Sequence, residues 1–275
     1  GGTAIVANNG TNTDCGSPPN VNWTFAAASP TFNQVNYRFG SGTANNIDYT
    51  GAPAENSALT VSTTGQDFRL RMAINVATAT LGLSGQAFKL RFAEKPAAGC
   101  ASGTYADVAT GAGVIRYVDI GGLTDADNIV LVTGDPNYTG AEQYQDYEEA
   151  NNFTNSVAAI ASGENGVWDF SLENNSSVAS KRYCFKVTKA DGTDLGTYTN
   201  FPEVIIDEEL TFSLDSTSKD FGTITPGASA SDQTSTLTTT TNAAGGYQVT
   251  LWQTQLLTNG LGATLANWTG TNATP

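Results

Sequence analysis

The residue types that most often carry catalysis are scarce in this sequence. None of the 275 residues is a histidine, which excludes Ser-His-Asp and Cys-His catalysis and zinc sites built on imidazole. No glycine-rich stretch is followed by Lys-Ser or Lys-Thr, so the sequence has no P-loop either. Carboxylates and cysteines are the main chemical groups that remain.

The adjacent acids Glu148 and Glu149 could serve a glycosidase, which places two carboxyl groups across a cleft. Neighbouring acids are more typical of a solvated loop, so a catalytic pair would need a distant partner. The candidates for that partner are Glu164, Glu173 and Glu203. We expect no enzyme, and a glycosidase is the third of three functions considered below.

Three cysteines, Cys15, Cys100 and Cys184, offer disulfide chemistry. An odd number in a secreted chain leaves one thiol unpaired or pairing between molecules. Cys184 lies in the strand-like KRYCFKV and Cys100 ends the loop AEKPAAGC, so we predict a bond between these two, with Cys15 left over. Three separate thiols are the alternative, because sequence alone does not fix connectivity.

Two oxygen-rich loops form one candidate metal site. LTDADN contains Asp125 and Asp127, and GDPNY contains Asp135. Calcium binds about six to eight oxygen ligands, and an acidic extracellular chain is a suitable setting. The EF-hand spacing fails, because Ile129 stands where a third ligand belongs. Calcium is the one cofactor that we consider, as an ion that stiffens loops, and ordinary turn acids are the alternative.

The overall charge is strongly negative, with 12 Lys and Arg against 26 Asp and Glu and a formal net charge of −14. Such a chain repels phosphate backbones and anionic lipid, so we expect no nucleic-acid partner. Only 14% of residues are charged, and the abundant Thr, Ser, Asn and Gly are typical of secreted all-β proteins.

No apolar run approaches the roughly 20 residues that cross a bilayer. The start GGTAIVANNG lacks signal-peptide regions, so we expect a mature extracellular chain at the cell surface, without a membrane span.

Period-2 alternation recurs along the chain and predicts β-strands that would position these groups. DFRLRMAINV, residues 67–76, puts large apolar side chains on one face and Arg69 and Arg71 on the other. AFKLRFAEK, residues 87–95, repeats this pattern, which predicts two neighbouring antiparallel strands that each turn one face to water. Further predicted strands cover 113–120, 128–134, 166–175, 181–190 and 197–206, and YEEANNFTNSVAAI is the one plausible helical turn.

The strand pattern restarts after FPEVIIDEE, which places a domain boundary near Asp207. We predict an all-β protein of two tandem immunoglobulin-like β-sandwich domains, the second incomplete in cis. Residues 1–12 form an N-terminal β-segment, 13–206 the large sandwich and 207–275 the partial one. That last segment is shorter than the about 100 residues of an immunoglobulin-like sandwich.

The segment TLTTTTNAAGGYQVTLW, residues 236–252, predicts two strands and a turn in a sheet with few strands left to complete it. Unpaired sheet edges need a cover, and an extended segment of another subunit can supply it by strand donation. The candidate donor residues are Thr3, Ala4, Ile5, Val6 and Ala7, and the candidate acceptor residues are Leu237, Tyr247, Val249 and Leu251. Head-to-tail donation that does not close a ring propagates as a filament. Completion in cis by residues beyond Pro275 is the alternative.

Residues 68–204 carry a motif succession: FKLRFAEK, then a Cys, VIRYVDI, YQDYEEANNFTNSVAAIASGENGVWDFSLENN and RYCFKVTKADGTDLGTYTNFPEV. This succession resembles a domain of predicted cell-surface proteins of the candidate phyla radiation (Patescibacteria). FSLDSTSKDFGTITPG and STLTTTTNAAGGYQVTL are similar to another β-domain of such surface proteins. The resemblance implies a surface location and a β architecture, supports the pairing of Cys100 with Cys184, and implies no catalytic residue.

The function that we predict is an extracellular structural protein, a subunit of a homopolymeric cell-surface filament assembled by head-to-tail strand donation. The alternative is a monomeric surface adhesin or carbohydrate-binding module whose partner is a surface glycan. A glycan-binding signal and a monomeric mass would distinguish the second from the first.

Overall fold

The computed structural model describes residues 27–62, 64–150, 152–175, 179–220, 233–243 and 245–250, and the positions 252, 254, 256, 258, 261, 262 and 264. These residues fall into two compact units, one ending at Ala243 and the other beginning at Gly245. The first unit contains all the named strands.

The first half of the chain contributes six strands and one 3-10 turn to the first unit. They are β1 (Thr31–Gly40), β2 (Leu59–Val61), β3 (Gln66–Ala77), β4 (Ala87–Glu94), the 3-10 turn (Cys100–Ser102), β5 (Ala106–Asp107) and β6 (Ile115–Tyr117). The second half contributes eight strands. They are β7 (Glu142–Glu148), β8 (Asn152–Thr154), β9 (Asn165–Asn174), β10 (Lys181–Lys189), β11 (Thr197–Tyr198), β12 (Glu203–Ile206), β13 (Leu210–Leu214) and β14 (Leu237–Thr241). The described protein is therefore all-β, as predicted.

Two six-stranded sheets share one hydrophobic core. The first sheet has the order β11-β1-β3-β9-β6, and β7 pairs with β9 in parallel. The second has the order β2-β12-β10-β4-β5, and β8 pairs with β4. Trp168 of β9 packs on Phe88 of β4, with ring centroids 5.9 Å apart, so aromatic side chains of the two sheets meet inside.

The predicted pairing of residues 67–76 with residues 87–95 is wrong. Both segments are strands, but β3 pairs with β1 and β9 in the first sheet, whereas β4 pairs with β10, β5 and β8 in the second. The alternation placed the large apolar side chains of each strand in the core, although the opposite face of β3 is buried as well. It carries no information about which strand lies beside which, because pairing depends on contacts distant in sequence.

The outer face of the first sheet is covered by a loop, residues 119–135. Leu123 and Ile129 of this loop pack against Val35, Tyr147 and Val167 of the sheet in a second apolar cluster. The strand predicted for residues 128–134 is not formed, since its only ladder contact is an isolated bridge from Asn128 to Asp146. The predicted helical turn is also absent from the described residues, which contribute the end of β7, the whole of β8 and loop segments after each strand.

Strands β13 and β14 form a separate two-stranded antiparallel sheet within the first unit. In the second unit, the described residues from Gly245 to Thr250 contain no strand. The described chain contains no helix long and apolar enough to span a membrane. The boundary near Asp207 stays a prediction; it falls between β12 and β13, where the chain leaves the second sheet.

Candidate functional site

The hairpin β13–β14 presents an uncovered apolar face. Because side chains alternate along a strand, Leu210, Phe212 and Leu214 lie on one face of β13. Their partners in register are Thr241, Thr239 and Leu237 of β14. Four apolar side chains of this shared face are exposed to solvent: Leu210 by 58%, Phe212 by 71%, Leu214 by 48% and Leu237 by 36%. We call these four side chains the hairpin face.

A two-stranded sheet with an exposed apolar face is marginally stable in water on its own. It also leaves one edge of each strand without a ladder partner among the described residues. Unpaired N–H and C=O groups along such an edge are a template for pairing with another chain. The hairpin therefore has both features of a strand acceptor, an open edge and apolar side chains for the incoming strand to cover.

Asn242, which follows β14, fixes the hairpin to the end of the second sheet. Its Nδ2 donates to the carbonyl oxygens of Ser62 at 3.0 Å and Asp207 at 2.9 Å. Its Oδ1 accepts from the backbone N–H of Glu209 at 2.7 Å. One amide side chain thus holds the segments on both sides of the hairpin, so the base of the hairpin is anchored while its apolar face is exposed.

The predicted acceptor residues fall in different places. Leu237 begins β14, but its strand pairs with β13 and not with the described residues 247–250. Tyr247 and Val249 belong to the second unit, where they are exposed by 53% and 50%. Leu251 and the donor segment, Thr3 to Ala7, lie outside the described residues.

The acceptor predicted from the sequence does not include β13, although the alternation of Leu210, Phe212 and Leu214 is visible in LTFSLDST. The signal that could have found its partner is the run of threonines after Leu237, which is β-prone and matches the length of β13.

The predicted disulfide between Cys100 and Cys184 is confirmed. The two Cα atoms are 5.7 Å apart, and the bond joins the 3-10 turn after β4 to the middle of β10. Tyr105 packs on the buried pair and donates from its hydroxyl to the Cys100 carbonyl oxygen at 2.9 Å. Cys15 lies outside the described residues.

The three acids predicted to bind calcium are not brought together. Asp135 is buried and accepts two hydrogen bonds from Arg71 at 2.8 Å and one from the Tyr49 hydroxyl at 2.6 Å. Asp127 accepts from the backbone N–H of Thr124 at 2.8 Å, and Asp125 accepts from the backbone N–H of Glu149 at 3.0 Å. Within the described chain, the one group of three potential ligands within 4.8 Å is Cys100, Cys184 and Glu203, whose two sulfurs form the disulfide.

The two arginines of β3 are buried, so the prediction that they face water is wrong. Asp169 of β9 accepts from Arg69 at 2.6 Å and from Arg71 at 2.7 Å, and Arg71 also binds Asp135 of the covering loop. Backbone carbonyls of Asn45 and Val130 accept further guanidinium N–H groups of Arg71. The network therefore joins two strands to the loop that covers them, and each charge in it has an opposite partner.

The adjacent acids Glu148 and Glu149 are not a solvated loop. Glu148 is the last residue of β7 and is only 3% exposed. Burial, with the charges of Asp146 and Asp125, raises the pKa of Glu148 to about 10.

The distant glutamates proposed as catalytic partners have other contacts. Glu173 pairs with Arg116, Glu203 pairs with Lys95, and Glu164 accepts from the backbone N–H of Ala161 at 2.9 Å.

No protein-family model, curated protein or solved structure matches this chain.

Proposed function

We propose that this chain is an extracellular structural protein, the subunit of a cell-surface filament in which subunits join head to tail by β-strand donation. The hairpin β13–β14 is the acceptor in this proposal. The observation that carries it is the hairpin face, with Phe212 71% exposed on a sheet that has two strands among the described residues.

The donor in the proposal is the segment Thr3 to Ala7 of the next subunit. Its sequence TAIVA alternates Thr3, Ile5 and Ala7 with Ala4 and Val6, so a strand of this composition has a β-branched residue for either face. Added to an edge of the hairpin, it would gain main-chain hydrogen bonds and cover part of the apolar face. Of the originally predicted acceptor residues, Leu237 lies in this hairpin, and a part for Tyr247, Val249 and Leu251 stays a prediction.

The tandem immunoglobulin-like architecture belongs to the same proposal. The two sheets up to β12 would be the large sandwich, and the hairpin would be the start of a second sandwich that a donated strand completes. The Cys100–Cys184 disulfide supports the extracellular location, because such bonds persist in oxidising compartments. The resemblance to surface proteins of the candidate phyla radiation agrees with that location.

Removing residues 1–9 tests the proposal. The shortened chain should stay monomeric and keep the thermal unfolding of its two sheets, while the full chain assembles. A synthetic peptide of residues 1–9 should bind the shortened chain. Assembly of the shortened chain to the same extent as the full chain would contradict strand donation by this segment.

The alternative function, a monomeric adhesin or carbohydrate-binding module, has one surface feature in its favour. Tyr198 and Phe201 stack with ring centroids 5.4 Å apart beside a depression that Lys186 and Asp194 also line. Partly exposed aromatic rings next to polar groups are suited to sugar rings. Binding of a glycan by the monomer, lost in Tyr198→Ala, would favour this reading over the filament.

A further inference from the structure

The depression beside Tyr198 and Phe201 adjoins a second, larger one. Ala101 and Phe201 line both of them, so the two depressions meet at these residues. The second depression has a volume of about 650 Å³, within the range of about 300 to 1,000 Å³ that small-molecule sites occupy. We call the two depressions together the Phe201 groove.

The walls of the Phe201 groove are held by a covalent bond and by ring contacts. Cys100, bonded in the disulfide, lines the second depression, and Phe201 packs on the cluster that contains Cys100 and Tyr105. Lys186 Nζ lies 4.6 Å from the ring centroid of Tyr105 and 5.4 Å from that of Tyr198. The groove is therefore preformed, and a ligand would lose little affinity to the ordering of its walls.

Arg182 of β10 brings a guanidinium group with unused donors to the groove. Its side chain is 54% exposed. Within the described chain it donates no hydrogen bond, although a guanidinium has five N–H donors. The carboxylate that it approaches, that of Glu203, lies 3.9 Å away, which is beyond hydrogen-bonding distance.

The other charged side chains that line the groove are paired with each other. Both carboxylate oxygens of Glu203 accept from Lys95 Nζ, at 2.6 Å and 2.8 Å. Asp194 accepts from Lys186 Nζ at 2.6 Å. The charge of Arg182 therefore has no equal counterpart among the described lining residues, and the groove carries one excess positive charge in a chain of net charge −14.

Two uncharged side chains add hydrogen-bonding groups to the second depression. Asn56 uses its Oδ1 to accept from the backbone N–H of Tyr37 at 2.9 Å, and its Nδ2 has no partner among the described residues. The exposed hydroxyl of Thr199 likewise makes no hydrogen bond to the described chain. Such groups suit the hydroxyls of a sugar, which both donate and accept.

We propose that the Phe201 groove binds a glycan that carries a carboxylate, and that Arg182 holds this carboxylate. A guanidinium pairs with a carboxylate through two parallel hydrogen bonds, which gives both affinity and orientation. The partly exposed rings of Tyr198 and Phe201 would pack on the apolar face of a sugar ring. An isolated carboxylate fits better than a polyanion, because the groove has one excess positive charge and the rest of the chain repels anions.

This inference rests on the glycan-binding function given above as the alternative, and names acidic glycans as its ligand class. It does not depend on strand donation, because no residue of the hairpin β13–β14 lines the groove. A filament would present the groove as a monomer does. Light scattering on the samples used for binding reports assembly separately, so failure of one proposal is distinguishable from failure of the other.

Calorimetry with oligosaccharides that end in glucuronate, galacturonate or sialate tests the proposal, each compared with its own methyl ester. We expect at least one acid to bind the full chain, and its ester to bind about tenfold more weakly, since the ester removes a charged hydrogen-bond partner. Arg182→Met should bind the acid and the ester with the same low affinity. Its Tm should be unchanged, because the Arg182 side chain donates no hydrogen bond to the described chain.

Lys181→Met is the matched control, because it removes a positive charge from the neighbouring residue of β10, which pairs with Glu94 outside the groove. Its affinity for the acid should stay within about twofold of the unmodified chain, since water screens the distant charge. The proposal is overturned if none of the three acids binds, if the ester binds as tightly as the acid, or if Lys181→Met loses as much affinity as Arg182→Met. Equal binding of a hexaglutamate peptide would also overturn it and assign the groove to acidic peptides.

Discussion

Phe212 of β13 lies directly opposite Thr239 of β14, and the Phe212 ring is 71% exposed although it belongs to a β-ladder. In the two larger sheets, aromatic side chains of the same kind are buried: Phe88, Phe170 and Phe185 have no measurable exposure. Four exposed apolar side chains are therefore grouped on the hairpin, next to an open edge, whereas Leu83 and Leu131 are exposed elsewhere in the described first unit. In the proposed filament, a strand donated to that edge would cover this surface.

Placing a charge on the hairpin face should prevent assembly. We expect Phe212→Asp to leave the chain monomeric in light scattering, because a carboxylate cannot be covered by an apolar donor strand without a large desolvation penalty. Ser213→Asp is the matched control, since Ser213 is the next residue of β13 and lies on the opposite face. Equal loss of assembly in both variants would assign the effect to charge in general and contradict the role of the face.

Removing the disulfide should destabilise the first unit without unfolding its sheets at room temperature. The bond closes a sequence separation of 84 residues, and loss of a native disulfide usually lowers the free energy of unfolding by about 2 to 4 kcal/mol. We expect that loss in denaturant unfolding of the double variant Cys100→Ala, Cys184→Ala. Cys15→Ala should leave the unfolding free energy unchanged, and a loss as large as that of the double variant would be inconsistent with the observed pairing.

Breaking the arginine network should be more damaging than breaking a surface ion pair. Arg71→Met leaves Asp135 and Asp169 short of a cation in a buried setting, and we expect a loss of about 3 to 5 kcal/mol in the free energy of unfolding. Lys181→Met removes an exposed partner of Glu94 and should change the free energy of unfolding far less, because water screens an exposed ion pair. Similar losses in the two variants would mean that the buried network is not strongly coupled.

Low pH should stabilise the folded chain through Glu148. The pKa of Glu148 is raised from 4.5 to about 10 in the folded chain, so between these values the folded state keeps a proton that the unfolded state releases. Stability from this group is therefore present at low pH and falls as pH rises through that window, by up to about 1.4 kcal/mol per pH unit for one proton. Tm measured from pH 5 to pH 8 should show this slope as a difference between the unmodified chain and Glu148→Gln. Parallel curves for the two chains would refute it.

The sequence predicted the β character and many strand positions because large apolar side chains alternate over long stretches. In β3 the residues Phe68, Leu70 and Met72 all point into the core, as the period of two requires. It did not predict sheet membership, since β3 and β4 have nearly the same pattern and lie in different sheets.

Whether a polar side chain is buried or exposed was harder to predict. Arg69 and Arg71 alternate as water-facing residues do, but the loop of residues 119–135 and the segment 42–45 fold over the sheet and bury them. One signal was available, because Asp169 interrupts the apolar run of VWDFSL and a buried acid requires a cation. Glu148 had no such signal, since nothing local distinguishes it from its neighbour Glu149.

Electron microscopy of the full chain, paired with light scattering, tests the central claim most directly. We expect filaments in which one subunit repeats head to tail, with residues 3–7 of each subunit paired to the edge of the hairpin β13–β14 of the next. Uniform monomers at concentrations where the unmodified chain is folded would contradict the filament and would place the adhesin function first.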